Sequence, residues 1–405
     1  MSVKSESIFW HVYPLSACGA QIHGEHDPAD RLRAMLPWVE EAAELGCSAL
    51  LLAPIFQSTA HGYDTLDHFR IDDRLGGADP AEADAVFGEL VEACRERGLD
   101  IWLDGVFNHV GVQHPLVEEG SPLIARDDEG QPLGWEGDGT LALLDHSRPE
   151  TEDLVVDVMC HWLERGITGW RLDVAYAVPS EFWSRVVTRV RERFPEAGFL
   201  GEMIHGDYVE AAAAGQLDTM TQYEVWKAVW SSLQNENFWE LDHALGRHAE
   251  FQARMYEHGK PGLQTFIGNH DVERVCSLVG AEKAGLAAVA LLTLPGIPSI
   301  YYGDERGAEG RKGEGVDADA ALRPSFDELP EPGELTQLYR RLIGLRGEHG
   351  WIAEGDLEVV EKSDEAIAYV VRARGEQAHE LAVNLSVADG SHAAIHIDGA
   401  EALVF

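Results

Sequence analysis

The sequence predicts an α/β protein built on a (β/α)8 TIM barrel, with a short inserted domain after the third strand and a small C-terminal antiparallel β domain. Three observations carry this expectation. Short apolar runs alternate with amphipathic stretches through most of the chain, the pattern of βα units around a parallel sheet. Between Gly111 and Arg148 the alternation stops, and Gly, Pro and acidic residues replace any helical period. Beyond about Gly350 the pattern changes to short alternating segments.

In chain order, the candidate barrel strands are Ile8–Tyr13, Ala49–Phe56, Leu99–Phe107, Gly169–Val174, Gly198–Met203, Asp218–Tyr223, Gly262–Ile267 and Pro298–Tyr302. Between them Asp30–Leu45, Asp84–Arg97, Glu150–Arg165, Ser180–Phe194, Glu240–His258 and Lys283–Leu294 place apolar residues at three-to-four spacing, several behind Asp or Ser caps. Eight strands with interleaved helices give the barrel. The interruption reads as an inserted loop domain. Ile367–Arg372, Leu381–Leu385 and Ala393–Ile397 read as strands of the terminal β domain. The expected division is 1–110 and 149–350 for the barrel, 111–148 for the insertion and 351–405 for the β domain.

The 405 residues include 71 acidic and 31 basic side chains, a formal charge of −40 that repels phosphate backbones and anionic membranes. Neither nucleic acid nor membrane is expected as a partner, and a neutral substrate such as a sugar fits better. No apolar run approaches the roughly 20 residues that span a bilayer. The opening MSVKSESIFWHVYPL lacks the basic stretch and apolar core of a secretory signal, so the expected compartment is the cytoplasm. Cys18, Cys47, Cys94, Cys160 and Cys276 are scattered and free of CxxC spacing, and are expected to be reduced thiols.

A barrel of this kind builds its active site at the C-terminal ends of its strands. There the sequence places Asp104, Asn108 and His109 in DGVFNHV, Arg171 and Asp173 in GWRLDVA, Glu202 in GEM, and His270 and Asp271 in GNHD. Side chains two apart in a strand share a face, so Arg171 and Asp173 project together, and the guanidinium favours an ionised Asp173. Each cluster alone has a plain structural reading: a buried ion pair closing the barrel, a strand-end turn, a helix-start acid or a capping pair. Together they converge on one cavity, a set that glycoside hydrolysis asks for. One carboxylate attacks the anomeric carbon, a second protonates the leaving oxygen and later activates water, and a third stabilises developing positive charge.

These blocks, in this order, resemble the α-amylase family, glycoside hydrolase family 13, with its DxxxNH, GxRxD, strand-five Glu and HD pair. The resemblance extends to AHGYDTLDHFRID, LLDHSRPE and PGIPSIYYGDE and spans nearly the whole chain. It implies Asp173 as nucleophile, Glu202 as general acid/base and Asp271 as transition-state stabiliser, with Arg171 orienting Asp173. It further implies that His109 and His270 bond the glucose at the cleavage subsite, Tyr63 stacks on its ring beside His61, and Asp319 with Arg323 forms an outer clamp. Asp304 and Glu305 are expected in structural or outer-site roles.

Within the family, GWRLDVAYAVPSEFW and HGYDTLDHF look most like the cyclomaltodextrinase and neopullulanase branch; with a barrel starting almost at residue 8, the extra N-terminal β domain through which that branch dimerises is not expected, and the oligomeric state stays open. Secreted α-amylases carry a Lys-His pair where this chain has Tyr176 and Ala177. The resemblance implies no required cofactor; the metal it allows is calcium, with Asn108 as side-chain ligand. The expected activity is retaining hydrolysis of α-1,4-linked glucans such as maltooligosaccharides, maltodextrins or cyclodextrins. The competing readings are a glucosyl transferase or isomerase using the same covalent intermediate, and a non-catalytic binding subunit. Three intact carboxylates weigh against the last.

Overall fold

The computed structural model describes residues 3–375 and 378–405. Eight parallel strands form its central sheet: β1 (Phe9–Val12), β2 (Ala49–Leu52), β3 (Asp100–Gly105), β4 (Gly169–Leu172), β5 (Gly198–Gly201), β6 (Thr219–Met220), β7 (Gln264–Phe266) and β8 (Ile297–Tyr301). Neighbours in sequence are neighbours in space, and β1 pairs with β8. A parallel bridge between Thr221 and Gln264 joins β6 to β7 and closes the barrel. Each sequence-predicted barrel strand is present, the first seven shortened and the eighth shifted by one residue. The sixth keeps only Thr219–Met220: the predicted run to Tyr223 ends early because Tyr223 opens the helix Tyr223–Asn235, with the Gln222 side chain accepting from Glu224 N.

The two-residue period of the strands stacks the barrel interior in layers. Phe9, Ala49, Leu51, Trp102, Leu200 and Ile297 form a buried apolar floor. Two residues further along the same faces come His11 after Phe9, Asp104 after Trp102 and Glu202 after Leu200, all buried. Gly169 lies beside Trp102 in register, and a Cβ there would meet the indole at 2.6 Å. The glycine thus lets Trp102 fill the floor, while Arg171 and Asp173 of the same strand run up into the mouth.

Helices pack their apolar faces on the outside of the sheet. Pro80–Glu96 begins ahead of the sequence-predicted start, because Asp79 caps Ala81 N and Pro80 occupies the first turn. Pro149–Glu164, Ser180–Arg193, Trp239–Glu257 and Ala281–Thr293 fall where helices were expected.

Two excursions rise at the C-terminal ends of the strands. After β2, Phe56–Ser58 pairs antiparallel with Thr65–Ile71; after β3, His109–Gly111, Asp138–Leu143 and Gly134–Trp135 form a three-stranded sheet. The C-terminal sheet is a meander of β9 (Asp356–Lys362), β10 (Ala366–Arg372), β11 (Glu380–Ser386), β12 (His392–Ile397) and β13 (Ala400–Val404). It docks on barrel helices through Tyr369 to Thr293 and through Phe405 packed over Gly285. The five cysteines are free, four of them buried. Among the described residues no helix is long and apolar enough to cross a membrane.

Candidate active site

At the mouth of the barrel one guanidinium serves three carboxylates. Arg171 pairs through Nη1 with Asp104 in a close contact and with Asp173 Oδ1 at 3.3 Å, and through Nη2 with Glu202 Oε1 at 2.8 Å. All four side chains are buried. Arg171 was expected to serve Asp173, yet that is its longest contact. Burial pushes the Asp173 carboxyl well above the usual range, the nearby Glu202 adds to this, and Arg171 pulls only partly back. Asp104 is pushed up for the same first reason, burial. Three carboxylates on one buried cation therefore favour retention of a proton within the cluster.

The two expected reacting carboxylates differ in their bonding. Glu202 Oε1 is ion-paired with Arg171 and accepts from the Tyr223 hydroxyl at 3.0 Å, while Oε2 accepts from Val174 N at 3.0 Å. Val174 adopts φ +48°, ψ +37°, a left-handed conformation costly for a β-branched residue, and in it the amide next to Asp173 faces Glu202. Asp173 accepts from Arg171 through Oδ1 alone, leaving Oδ2 without a protein hydrogen bond among the described residues.

Asp271 stands across the site, its side chain 42% exposed. Its carboxylate meets His270 Nε2 at 3.1 Å and Arg323 Nη2 at 3.1 Å, and its backbone N donates to Asn269 Oδ1. Arg323 also donates to the His270 carbonyl and to Asp319, and its guanidinium lies over the Tyr13 ring at 4.4 Å. Asp319 is held from its other side by Lys312 at 3.0 Å. The two expected clamp residues are thus brought to Asp271.

Tyr63 stacks on His270 with ring centroids 5.3 Å apart, and its hydroxyl lies between His270 Nε2 and Asp104 Oδ2. His61 lies beside Tyr63, its carbonyl accepting from the Tyr13 hydroxyl. His109 is buried, with Nδ1 3.2 Å from the Asn108 amide nitrogen and its ring stacked near Trp135. Burial holds the His109 imidazole down to about 4, so it is neutral at neutral pH. With Nδ1 accepting from Asn108, the ring proton sits on Nε2, which is itself buried.

Tyr223, Asn269 and Trp135 reach this site without having been singled out in the sequence. Asn269 sits inside GNHD and Tyr223 ends the predicted sixth strand, so their positions were signalled but their contacts were not. Trp135 comes from the inserted sheet, where no periodicity pointed to the barrel mouth. Asp304 bonds the buried Arg274 and Glu305 accepts from Gly303 N, which are structural contacts.

A cavity of about 640 Å³ adjoins Asp271, lined also by Ala20, His23, His61, Tyr63, Val316 and Arg323 among others. For calcium, the one sequence-indicated ligand is Asn108; acidic, histidine or cysteine side chains come together in a group of three once among the described residues. The one such cluster, His26, Asp72 and Asp73, is consumed internally: His26 bonds Asp73 and the Thr59 carbonyl, and Asp72 bonds Arg74 and Ser58. The Asn108 amide nitrogen donates to His109 Nδ1, and no step below runs through a cation.

The chain is 27% identical over 402 residues to a cyclomaltodextrinase of Geobacillus thermopakistaniensis, covering 89% of this chain and 65% of that protein. It is 31% identical over 348 residues to neopullulanase 2 of Thermoactinomyces vulgaris, covering 80% and 56%. It thus spans less than two thirds of the length of these relatives. Among solved structures, cyclic alpha-maltosyl-(1→6)-maltose hydrolase from Arthrobacter globiformis superimposes with a TM-score of 0.78 at 24% identity, over 94% of this chain and 90% of that one, a likeness of fold. The alpha-amylase catalytic domain matches residues 36–125 and 137–329, most of the barrel and all three strand-end carboxylates, and on that match the chain belongs to the alpha-amylase family.

Proposed function

We propose that this protein is a retaining hydrolase of α-1,4-linked glucans, acting on maltooligosaccharides, maltodextrins or cyclodextrins. The observation that carries this reading is the pair Asp173 and Glu202 held on the two terminal nitrogens of one guanidinium, with Asp271 near enough to push the Asp173 carboxyl further up. Retaining glycosidases need the shorter carboxylate separation, about 5–5.5 Å. Asp173 Oδ2 attacks the anomeric carbon as the glycosidic C–O bond breaks; the departing oxygen keeps the bonding pair and takes a proton from Glu202. Water then attacks the glycosyl ester, gives its proton back to Glu202, and releases Asp173. Asp271 and Arg323 hold hydroxyls of the same sugar, the neutral His109 stands beside them, and Tyr63 offers an aromatic surface to the pyranose. These steps use groups of the chain alone and require no cofactor. The names of the relatives, cyclomaltodextrinase and neopullulanase, support this substrate class. A cytoplasmic setting is supported by the five free cysteines.

A second reading, transfer to a sugar acceptor, is favoured by one observation. Tyr176, 41% exposed in the loop after the nucleophile, meets Trp135 edge-on at 6.5 Å, and this pair could seat an acceptor ring. The test is product chromatography with maltotriose, pullulan and β-cyclodextrin, with and without added glucose. Release of reducing sugar from at least one substrate is expected; none from any would overturn the hydrolase reading, and acceptor-dependent products would favour transfer.

A further inference from the structure

The buried side of Glu202 is held by two residues that the catalytic scheme does not use. Tyr223 donates its hydroxyl proton to Glu202 Oε1 at 3.0 Å, and Asn269 Nδ2 donates to the Tyr223 oxygen at 3.0 Å. Asn269 Oδ1 in turn accepts from Asp271 N at 2.9 Å. Glu202, Tyr223 and Asn269 are all buried, and Tyr223 is walled by the edge of Phe266 at 4.8 Å.

The donor count decides what this chain of bonds does. A carboxylate oxygen has two lone pairs. Oε1 of Glu202 accepts from Tyr223 and lies 2.8 Å from the cationic Arg171 Nη2, which disfavours a proton there, whereas Oε2 accepts only from Val174 N and keeps a lone pair free. Because the Tyr223 oxygen already accepts from Asn269, its own proton is directed to Glu202. We propose that Tyr223, oriented by Asn269, is a positioning residue that fixes Oε2 as the oxygen carrying the catalytic proton of Glu202. Without Tyr223, Oε1 becomes a second protonation site on the wrong side of the carboxyl, and part of the acid is misdirected. The same Asn269 anchors Asp271, so the acid and the stabilising carboxylate are located by one side chain.

This inference rests on the hydrolase reading, and its test separates the two. Tyr223→Phe keeps the ring and removes the hydroxyl. Hydrolysis of maltotetraose needs the leaving oxygen protonated, whereas α-maltosyl fluoride loses fluoride without that proton. The expected result is a kcat on maltotetraose lowered about 10–100-fold, a part of the roughly 10²–10⁴-fold that general acid catalysis contributes, with KM little changed and a much smaller loss on the fluoride. Asn269→Asp keeps the acceptor for Asp271 N and turns the donor at Tyr223 into an acceptor, drawing the tyrosine proton away from Glu202. The same leaving-group-dependent loss is expected, and this variant decides the matter if Tyr223→Phe does not fold. Equal losses on both substrates, or no loss on either, would overturn the positioning role while leaving the hydrolase reading intact. A wild-type protein inert toward both substrates would overturn both.

Discussion

At the scale of single residues, the site is a competition for Arg171. Its guanidinium contacts Asp104, Asp173 and Glu202, so charge at each carboxyl depends on the other two. Changing Asp173 to Asn removes the nucleophile and one buried acid at nearly constant volume. We expect turnover on maltooligosaccharides to fall by several orders of magnitude, with the thermal midpoint held or raised, because burial opposes ionisation at this position. A variant with near-normal turnover would remove Asp173 from the nucleophile role. Much of this site was legible beforehand, since strand-end acids are marked by short motifs. The sharing of Arg171 was not legible: the period of two places Asp173 beside it, but Asp104 and Glu202 come from neighbouring strands, and their reach depends on barrel closure. Tyr223 escaped notice for a similar reason. A residue at a strand end has a known position, while its rotamer is set by packing against Phe266.

At the scale of elements, loops set the substrate's reach. In the proposed mechanism Glu202 protonates the leaving group, which puts the departing portion on its side of the scissile bond. The 640 Å³ cavity bounded by Tyr63, Asp271 and Arg323 lies away from Glu202 and would take the glycosyl portion. Its size falls in the range of pockets for drug-sized ligands, suited to one or two sugars rather than a polymer. The loops after β1 and β8 meet over it, where His23 Nε2 donates to the Val316 carbonyl at 2.9 Å. We predict that His23→Ala opens this end and shifts products from a maltodextrin toward longer saccharides, read by chromatography at equal conversion. An unchanged product profile would show that the bridge does not limit chain length. The loop hairpin Phe56–Ser58 with Thr65–Ile71 was invisible as structure, since its polar motif residues break the alternation. Likewise β10 to β12 were read from alternating apolar residues, but β9 and β13, the two edge strands, are largely exposed and carry acidic residues that blur the period.

At the scale of the whole molecule, the fold was legible because the repeat is long and each βα unit restates the pattern, whereas stability depends on terms that no motif marks. Burial drives His109, His114 and His248 down to about 4, and drives Asp104, Asp173 and Glu305 up. The signs oppose. Each depressed histidine contributes stability that is present above the ordinary 6.5 and lost as pH falls toward 4. Each raised carboxyl contributes stability that is present below the ordinary carboxylate range and lost as pH rises through its higher folded value. Between these limits the two sets offset, which leaves net charge as the larger variable. At pH 7 the formal charge is −40, and self-repulsion destabilises the compact state. Near the sequence isoelectric point of 4.6 that repulsion vanishes. Added salt shortens the screening length from roughly 30 Å at 0.01 M to under 10 Å above 0.15 M, so it relieves repulsion where charge is high and does little where charge is low. Scanning calorimetry in 0.01 M and 0.5 M sodium chloride should therefore show a thermal midpoint raised by several degrees at pH 8 and nearly unmoved at pH 5. Equal salt shifts at both pH values would mean that the acidic surface does not limit stability, and that the buried titrating groups do not cancel.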